Sequence, residues 1–137
     1  MTKVFLDTNI LIDYVDNREN RTYAAFILSM AEEGLISLHA SYLSYANMGY
    51  ILRKRTQQER YQLIRNVRKI VNVLPCNVMQ LDKALEKPAR DFEDMLQYQC
   101  AKAAGCDVIV TNNKKDFEEF CDMPLNTSEE FLLQFNL

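Results

Sequence analysis

Three short apolar runs, Val4-Phe5-Leu6, Leu35-Ile36-Ser37-Leu38 and Val108-Ile109-Val110, are separated by segments of helical period. Runs this short and apolar read as strands buried on both faces, and strands alternating with helices form βαβ units. The chain is therefore expected to build an α/β fold: one parallel sheet with helices on both faces, three layers deep, in a single domain over residues 1–137. In such sheets ligands bind beyond the carboxyl ends of the strands, so chemistry is to be sought there.

Between these runs the pattern predicts a helix from Ile10 to Val15, then a stripe of Tyr23, Phe26, Ile27 and Met30 that stops at Gly34. Tyr42 to Leu52 is apolar on most sides and is expected to be a central helix. Thr56 and Glu59 have capping-box spacing and start a helix carrying Leu63, Ile64, Val67 and Val71. Val71 to Leu74 reads equally well as a strand closed by Pro75. Pro88 ends a short helix, and Asp91 caps the next, which runs to about Ala104 with Gly105 as its stop. A short helix to about Phe120 follows Thr111-Asn112-Asn113. Thr127 and Glu130, again spaced as a capping box, open a last helix with Phe131, Leu132 and Phe135.

Composition narrows the chemistry. With 48% hydrophobic and 26% charged residues the chain is of globular type. A net charge of −3 gives no whole-molecule attraction to nucleic acid, so any such binding needs a local patch. No apolar run approaches the roughly 20 residues of a membrane span. Met1-Thr2-Lys3 leads straight into a strand without a signal-peptide core, and Cys76, Cys100, Cys106 and Cys121 form no C-x-x-C pair. Both features point to a cytoplasmic protein with reduced thiols. His39 is the single histidine, which excludes histidine-pair acid–base catalysis and multi-histidine zinc sites within one chain. The glycines at 34, 49 and 105 form no phosphate-cradling loop.

Acids fall where the sheet places its ligands. Asp7 follows the first strand, Asp94 lies in the first turn of the long helix, and Asp116 lies just beyond Val108 to Val110. A parallel sheet would bring all three to one edge. Carboxylates so gathered repel unless a cation neutralises them, and Mg²⁺ or Mn²⁺ suits oxygen ligands. Such an ion orients and polarises a phosphate and activates water, with no need of a histidine. Each acid also has an ordinary use. Asp7 can cap a helix, Asp91 and Asp94 are spaced as N-cap and N3, and Asn113 and Asp116 share that spacing.

Val4-Phe5-Leu6-Asp7-Thr8-Asn9-Ile10-Leu11-Ile12-Asp13 resembles the opening motif of PIN domains. Asp91-Phe92-Glu93-Asp94-Met95-Leu96-Gln97-Tyr98 resembles their third motif, and Val108-Ile109-Val110-Thr111-Asn112-Asn113-Lys114-Lys115-Asp116-Phe117 their fourth. The likeness spans essentially the whole chain and is nearest to VapC-type toxins, Mg²⁺-dependent ribonucleases neutralised by a small antitoxin protein. It implies metal acids at Asp7 and Asp94, a supporting hydroxyl at Thr8 beside Asn9, and further support from Asp91 and Thr111. The second acid, usually Glu, falls on Asn47, and the fourth-motif acid position falls on Asn113, with Asp116 the nearest carboxylate to compensate. An amide at position 47 keeps an oxygen but removes a charge, which lowers metal affinity and makes a second ion harder to hold. The resemblance thus implies an RNA-cutting enzyme with an antitoxin partner, and allows a homodimer.

Arg53 to Lys69 carries seven cations and one acid, a net +6, leaving −9 for the rest of the chain. Arg53, Arg60, Arg65 and Arg68 are candidates for RNA phosphate contacts. An acidic antitoxin segment is another use for them, and a solvated helical face opposite the apolar stripe is the ordinary one. Little aromatic interleaving beyond Tyr61 speaks against a base-stacking platform. Two other readings stand beside the ribonuclease: a PIN domain that binds RNA or protein without turnover, and a phosphate-signalling receiver, for which Lys114 is poorly placed.

Overall fold

The computed structural model describes residues 1–135, so positions 136 and 137 of the expected domain lie outside the described residues. Five strands of the described residues form one sheet: β1 (Thr2–Leu6), β2 (Ile36–Ser41), β3 (Val71–Leu74), β4 (Val108–Val110) and β5 (Leu125–Asn126). Their spatial order is β3-β2-β1-β4-β5 and every pairing is parallel. Val4 lies opposite Leu38 on one side and Val108 on the other, which fixes β1 at the centre.

Among the described residues eight helices connect and cover the strands: α1 (Thr8–Val15), α2 (Arg21–Glu32), α3 (Tyr42–Ile51), α4 (Gln57–Ile70), α5 (Val78–Glu86), α6 (Phe92–Ala103), α7 (Lys115–Glu118) and α8 (Ser128–Leu133). Side chains alternate across a strand, so β1 feeds two cores. Val4 and Leu6 pack with Ile10, Leu11, Ile27, Val67 and Phe131 on one face. Phe5 and Ile109 pack with Met95, Tyr98 and Phe117 on the other. The expected three layers are present, and the continuous apolar run of β1 is explained by burial on both faces.

Local signals set most boundaries. Gly34 (φ 78°) and Gly105 (φ 70°) end α2 and α6 in the left-handed region. Both ends carry the same paired turn, Leu35 N–H to Met30 O and Gly34 N–H to Ala31 O, then Cys106 N–H to Ala101 O and Gly105 N–H to Lys102 O. Thr127 and Glu130 form a full reciprocal capping box. At α4 the box is half made: Thr56 Oγ1 accepts from Glu59 N–H. The open choice at Val71 resolves as both readings in turn, because α4 ends at Ile70 and the chain passes directly into β3.

Two expectations need correction. The Tyr42–Leu52 helix is not central: Tyr42, Tyr50 and Ile51 are exposed, and within α3 only Ser44 and Met48 are buried. It lies at the sheet's rim, where one side of the helix must face an open cleft. The strand β5 was not expected, since two residues become a strand only by pairing with the edge of β4. His39 has the packed role its place in a strand suggests, with Nε2 2.7 Å from Ser37 Oγ. The four cysteines are free, with Cys100 and Cys106 buried.

Candidate metal centre

The chain runs from β1 outward to β2 and β3, then crosses back to β4 beside β1. The carboxyl ends of β1 and β4 therefore flank the point where strand order reverses, and Asp7 and Thr111 are the first residues beyond them. Asp7 sits at the N-cap position of α1, yet its carboxylate makes no capping bond. Thr111 instead donates its hydroxyl to Asp7 Oδ2 at 2.8 Å. Asn113 N–H returns to Thr111 Oγ1 at 3.0 Å, which holds that hydroxyl in place.

Asp91 caps α6 by accepting from Asp94 N–H at 3.0 Å. This fixes the first turn of the helix and leaves the Asp94 carboxylate directed by that turn. Ligand oxygens of Asp91, Asp94 and Asp116 lie within 4.8 Å of one another. Arg90 pairs with Asp116 at 3.2 Å. An open cleft of about 290 Å³ runs over these groups. Asp7, Thr8 and Asn9 line it from the start of α1, and Asn47, Tyr50 and Ile51 from α3. Glu93 and Arg18 complete the part that matters for charge.

Crowding of like charges shows in the protonation of the site. Burial pushes Asp7, which is 4% exposed, up to about 6 against the pull of Thr111 and the Thr8 backbone, with Glu93 and Asp116 adding repulsion. Asp94 is pushed up to about 8, by burial first and then by the charges of Asp7, Asp91, Asp116 and Glu93. A cation between these carboxylates would relieve that strain. Among the described residues lining the cleft every acidic donor is a carboxylate, with no histidine or cysteine. That donor set fits a hard ion such as Mg²⁺ or Mn²⁺ and does not fit zinc in its usual nitrogen and sulfur sites.

A PIN-domain family model matches residues 3–115. The chain belongs to the PIN-domain family. Over 140 residues it is 30% identical to ribonuclease VapC1 of Aquifex aeolicus (strain VF5), covering 98% of this chain and 96% of that protein. Two solved structures share the PIN fold. VapBC2 from Rickettsia felis, bound to a DNA fragment from its promoter, matches with a TM-score of 0.70 at 16% identity, over 92% of this chain and 98% of that chain. VapBC-1 from nontypeable Haemophilus influenzae matches with a TM-score of 0.68 at 21% identity, over 93% and 99%.

This PIN domain brings most of the sequence candidates together, with some exchange of roles. Asp91, expected as support, joins Asp94 and Asp116 in the tightest group, while Asp7 lines the same cleft from a buried position. Asn47 lines the cleft as expected, but Asn113 is exposed and does not. Asp116 occupies the cleft in its stead because the Thr111 turn carries the chain round to α7. Thr8 supports the site through a buried network: its Oγ1 is 2.7 Å from Ser44 Oγ, and Gln97 Nε2 donates to both hydroxyls at 3.3 and 3.2 Å. Ser41 closes the network on Gln97 Oε1 at 2.7 Å. These bonds tie α1, α3 and α6 together beneath the acids.

Sequence reasoning missed Glu93, Arg18, Arg90, Ser44 and Gln97. The signal for two of them was available: Gln97 lies one helical turn after Asp94, and Ser44 one turn before Asn47, each on the face its neighbour already marks. The four arginines proposed for RNA do not line the cleft. Arg53 touches one of the residues that do, its guanidinium 4.0 Å from the ring centre of Tyr50. Arg60 and Arg65 lie over Tyr61 at 5.7 and 5.8 Å, the one aromatic residue the sequence singled out in that segment.

Proposed function

We propose that this chain, acting as one PIN domain, is a Mg²⁺- or Mn²⁺-dependent endoribonuclease and the toxin of a toxin–antitoxin pair in the cytoplasm. One observation carries the reading: five carboxylates converge on a single cleft, where Asp94 is held near 8 by burial and its neighbours' charge. The 30% identity to a protein named as a ribonuclease supports the substrate class.

Asp91, Asp94 and Asp116 would hold the ion, with Asp7 buried beneath them. When bound, the ion polarises a phosphodiester and lowers the pKa of the attacking water. The residues of the chain do the rest. Thr111 fixes the Asp7 carboxylate, and the Thr8–Ser44–Gln97 network prevents α1 and α6 from separating under mutual repulsion of the acids. Arg18, which lines the cleft while pairing with Asp16 at 3.2 Å, would draw a phosphate toward carboxylates that would otherwise repel it. Arg53, Arg60, Arg65 and Arg68 add affinity along the RNA backbone outside the cleft.

The partner reading rests on the two fold neighbours, both named as VapBC assemblies. Co-expression with an adjacent reading frame is expected to yield a stoichiometric complex with a small protein. A second reading, a PIN domain that binds RNA or protein without cutting, rests on Asn47 standing where the family carries an acid. Comparing RNA cleavage in Mg²⁺, Mn²⁺ and EDTA for wild type and Asp7→Asn separates the two. The enzyme reading expects cleavage that EDTA and Asp7→Asn both abolish. Ion binding without cleavage by the wild type would favour the second.

A further inference from the structure

We propose that Glu93 supplies the carboxylate that position 47 lacks, and that Asn47 is the positioning residue that holds it over the cleft. The inference rests on reading the cleft as a divalent-cation site.

Asn47 on α3 donates Nδ2–H to Glu93 Oε1 on α6 at 2.7 Å, and both residues line the acidic cleft. The amide orientation is forced, because an ionised carboxylate has no proton to give and only the NH₂ group of Asn47 can face it. Glu93 follows Asp91 and precedes Asp94 in the first turn of α6. The extra methylene of a glutamate lets it reach across to α3, where the family's own acid would stand. Among the described residues its second oxygen, Oε2, takes no hydrogen bond or ion pair, which leaves it open to an ion or an ion-bound water. Its charge is felt at the centre of the site, since it helps push up both Asp7 and Asp94.

The exchange preserves the charge of the site. An acid is absent from α3 and one is present on α6, displaced by the length of one hydrogen bond. Asn47 then has a purpose beyond keeping a neutral oxygen. A glutamate at 47 beside Glu93 would set two carboxylates against each other, whereas an amide there ties Glu93 down.

Swapping the two groups tests this. Mn²⁺ affinity of the full chain is measured by calorimetry for wild type, Glu93→Gln, Asn47→Ala and the double variant Asn47→Glu/Glu93→Gln. The double variant keeps the charge count and the hydrogen bond with its polarity reversed. Glu93→Gln is expected to weaken Mn²⁺ about tenfold or more, Asn47→Ala to weaken it less, and the double variant to recover most of the loss. Thermal melts in EDTA check folding, and Glu93→Gln is expected to melt no lower than wild type because repulsion is relieved. Unchanged affinity in Glu93→Gln overturns the proposal, and so does a loss that the double variant leaves unrepaired. The titration reads ion binding, not cleavage. A wild type that binds Mn²⁺ through Glu93 and leaves RNA intact would sink the ribonuclease reading alone.

Discussion

Replacing Asp7 with Asn removes a charge that the fold holds out of water at a cost. Its pKa rises from 3.8, the ordinary aspartate value, to about 6, with burial as the largest cause. At 1.36 kcal/mol per pKa unit, the ionised group costs the metal-free protein about 3 kcal/mol. An acid whose folded pKa lies above its unfolded one binds more protons when folded, so stability falls as pH rises through that interval. For Asp7 the interval runs from about 4 to about 6, and Asp94, raised to about 8, extends the decline further. Roughly half of the Asp7 share develops between pH 5 and pH 8. Urea unfolding in EDTA at several pH values should therefore show the wild type weakening toward pH 8 and Asp7→Asn weakening less. The difference between the slopes is the robust readout, because the new amide leaves a buried NH₂ that costs about 1–3 kcal/mol at every pH. Saturating Mn²⁺ should restore the wild type, by about 2.7 kcal/mol at one hundred times the dissociation constant, and restore the variant less. Parallel stability curves for the two proteins would refute the account of Asp7 as a buried, ionisable site acid.

Three further outcomes are expected. Gln97→Leu takes the acceptor from the buried Ser41 hydroxyl and the shared N–H donor from Thr8 and Ser44, which keep only their bond to each other, and should cost about 1–3 kcal/mol in urea unfolding; a change near zero would mean the network does not brace the acids. Arg65→Glu together with Arg68→Glu should weaken RNA binding and flatten its dependence on log salt by about 1.4 if each arginine meets one phosphate, with Mn²⁺ affinity unchanged; an unmoved slope would leave α4 as a solvated face. Gly34→Ala places a side chain at φ 78° and should lower stability by about 1 kcal/mol, although nothing stands within 4 Å of the added Cβ; no loss in a thermal melt would contradict the role given to that turn.

Much of the fold was legible because it is written in short-range chemistry. The apolar runs at Val4–Leu6 and Val108–Val110, the stops at Gly34 and Gly105, and the caps at Asp91 and Thr127 each act on neighbours a few residues away. The topology of a parallel sheet then carried Asp7, Asp94 and Asp116 to one edge without any knowledge of side-chain packing. Long-range docking decided everything else. β5 exists because the rim of β4 offers it unpaired backbone groups. The faces of α3 could not be told apart by its apolar pattern, since only the cleft makes one of them solvent. Thr8 meets Gln97 across 89 positions, and Asn47 meets Glu93 across 46. Sequence settles which residues can be acids at the end of a strand. Which acid reaches which partner depends on the angle and depth at which α3 and α6 approach, and those are set by the whole core packed beneath them.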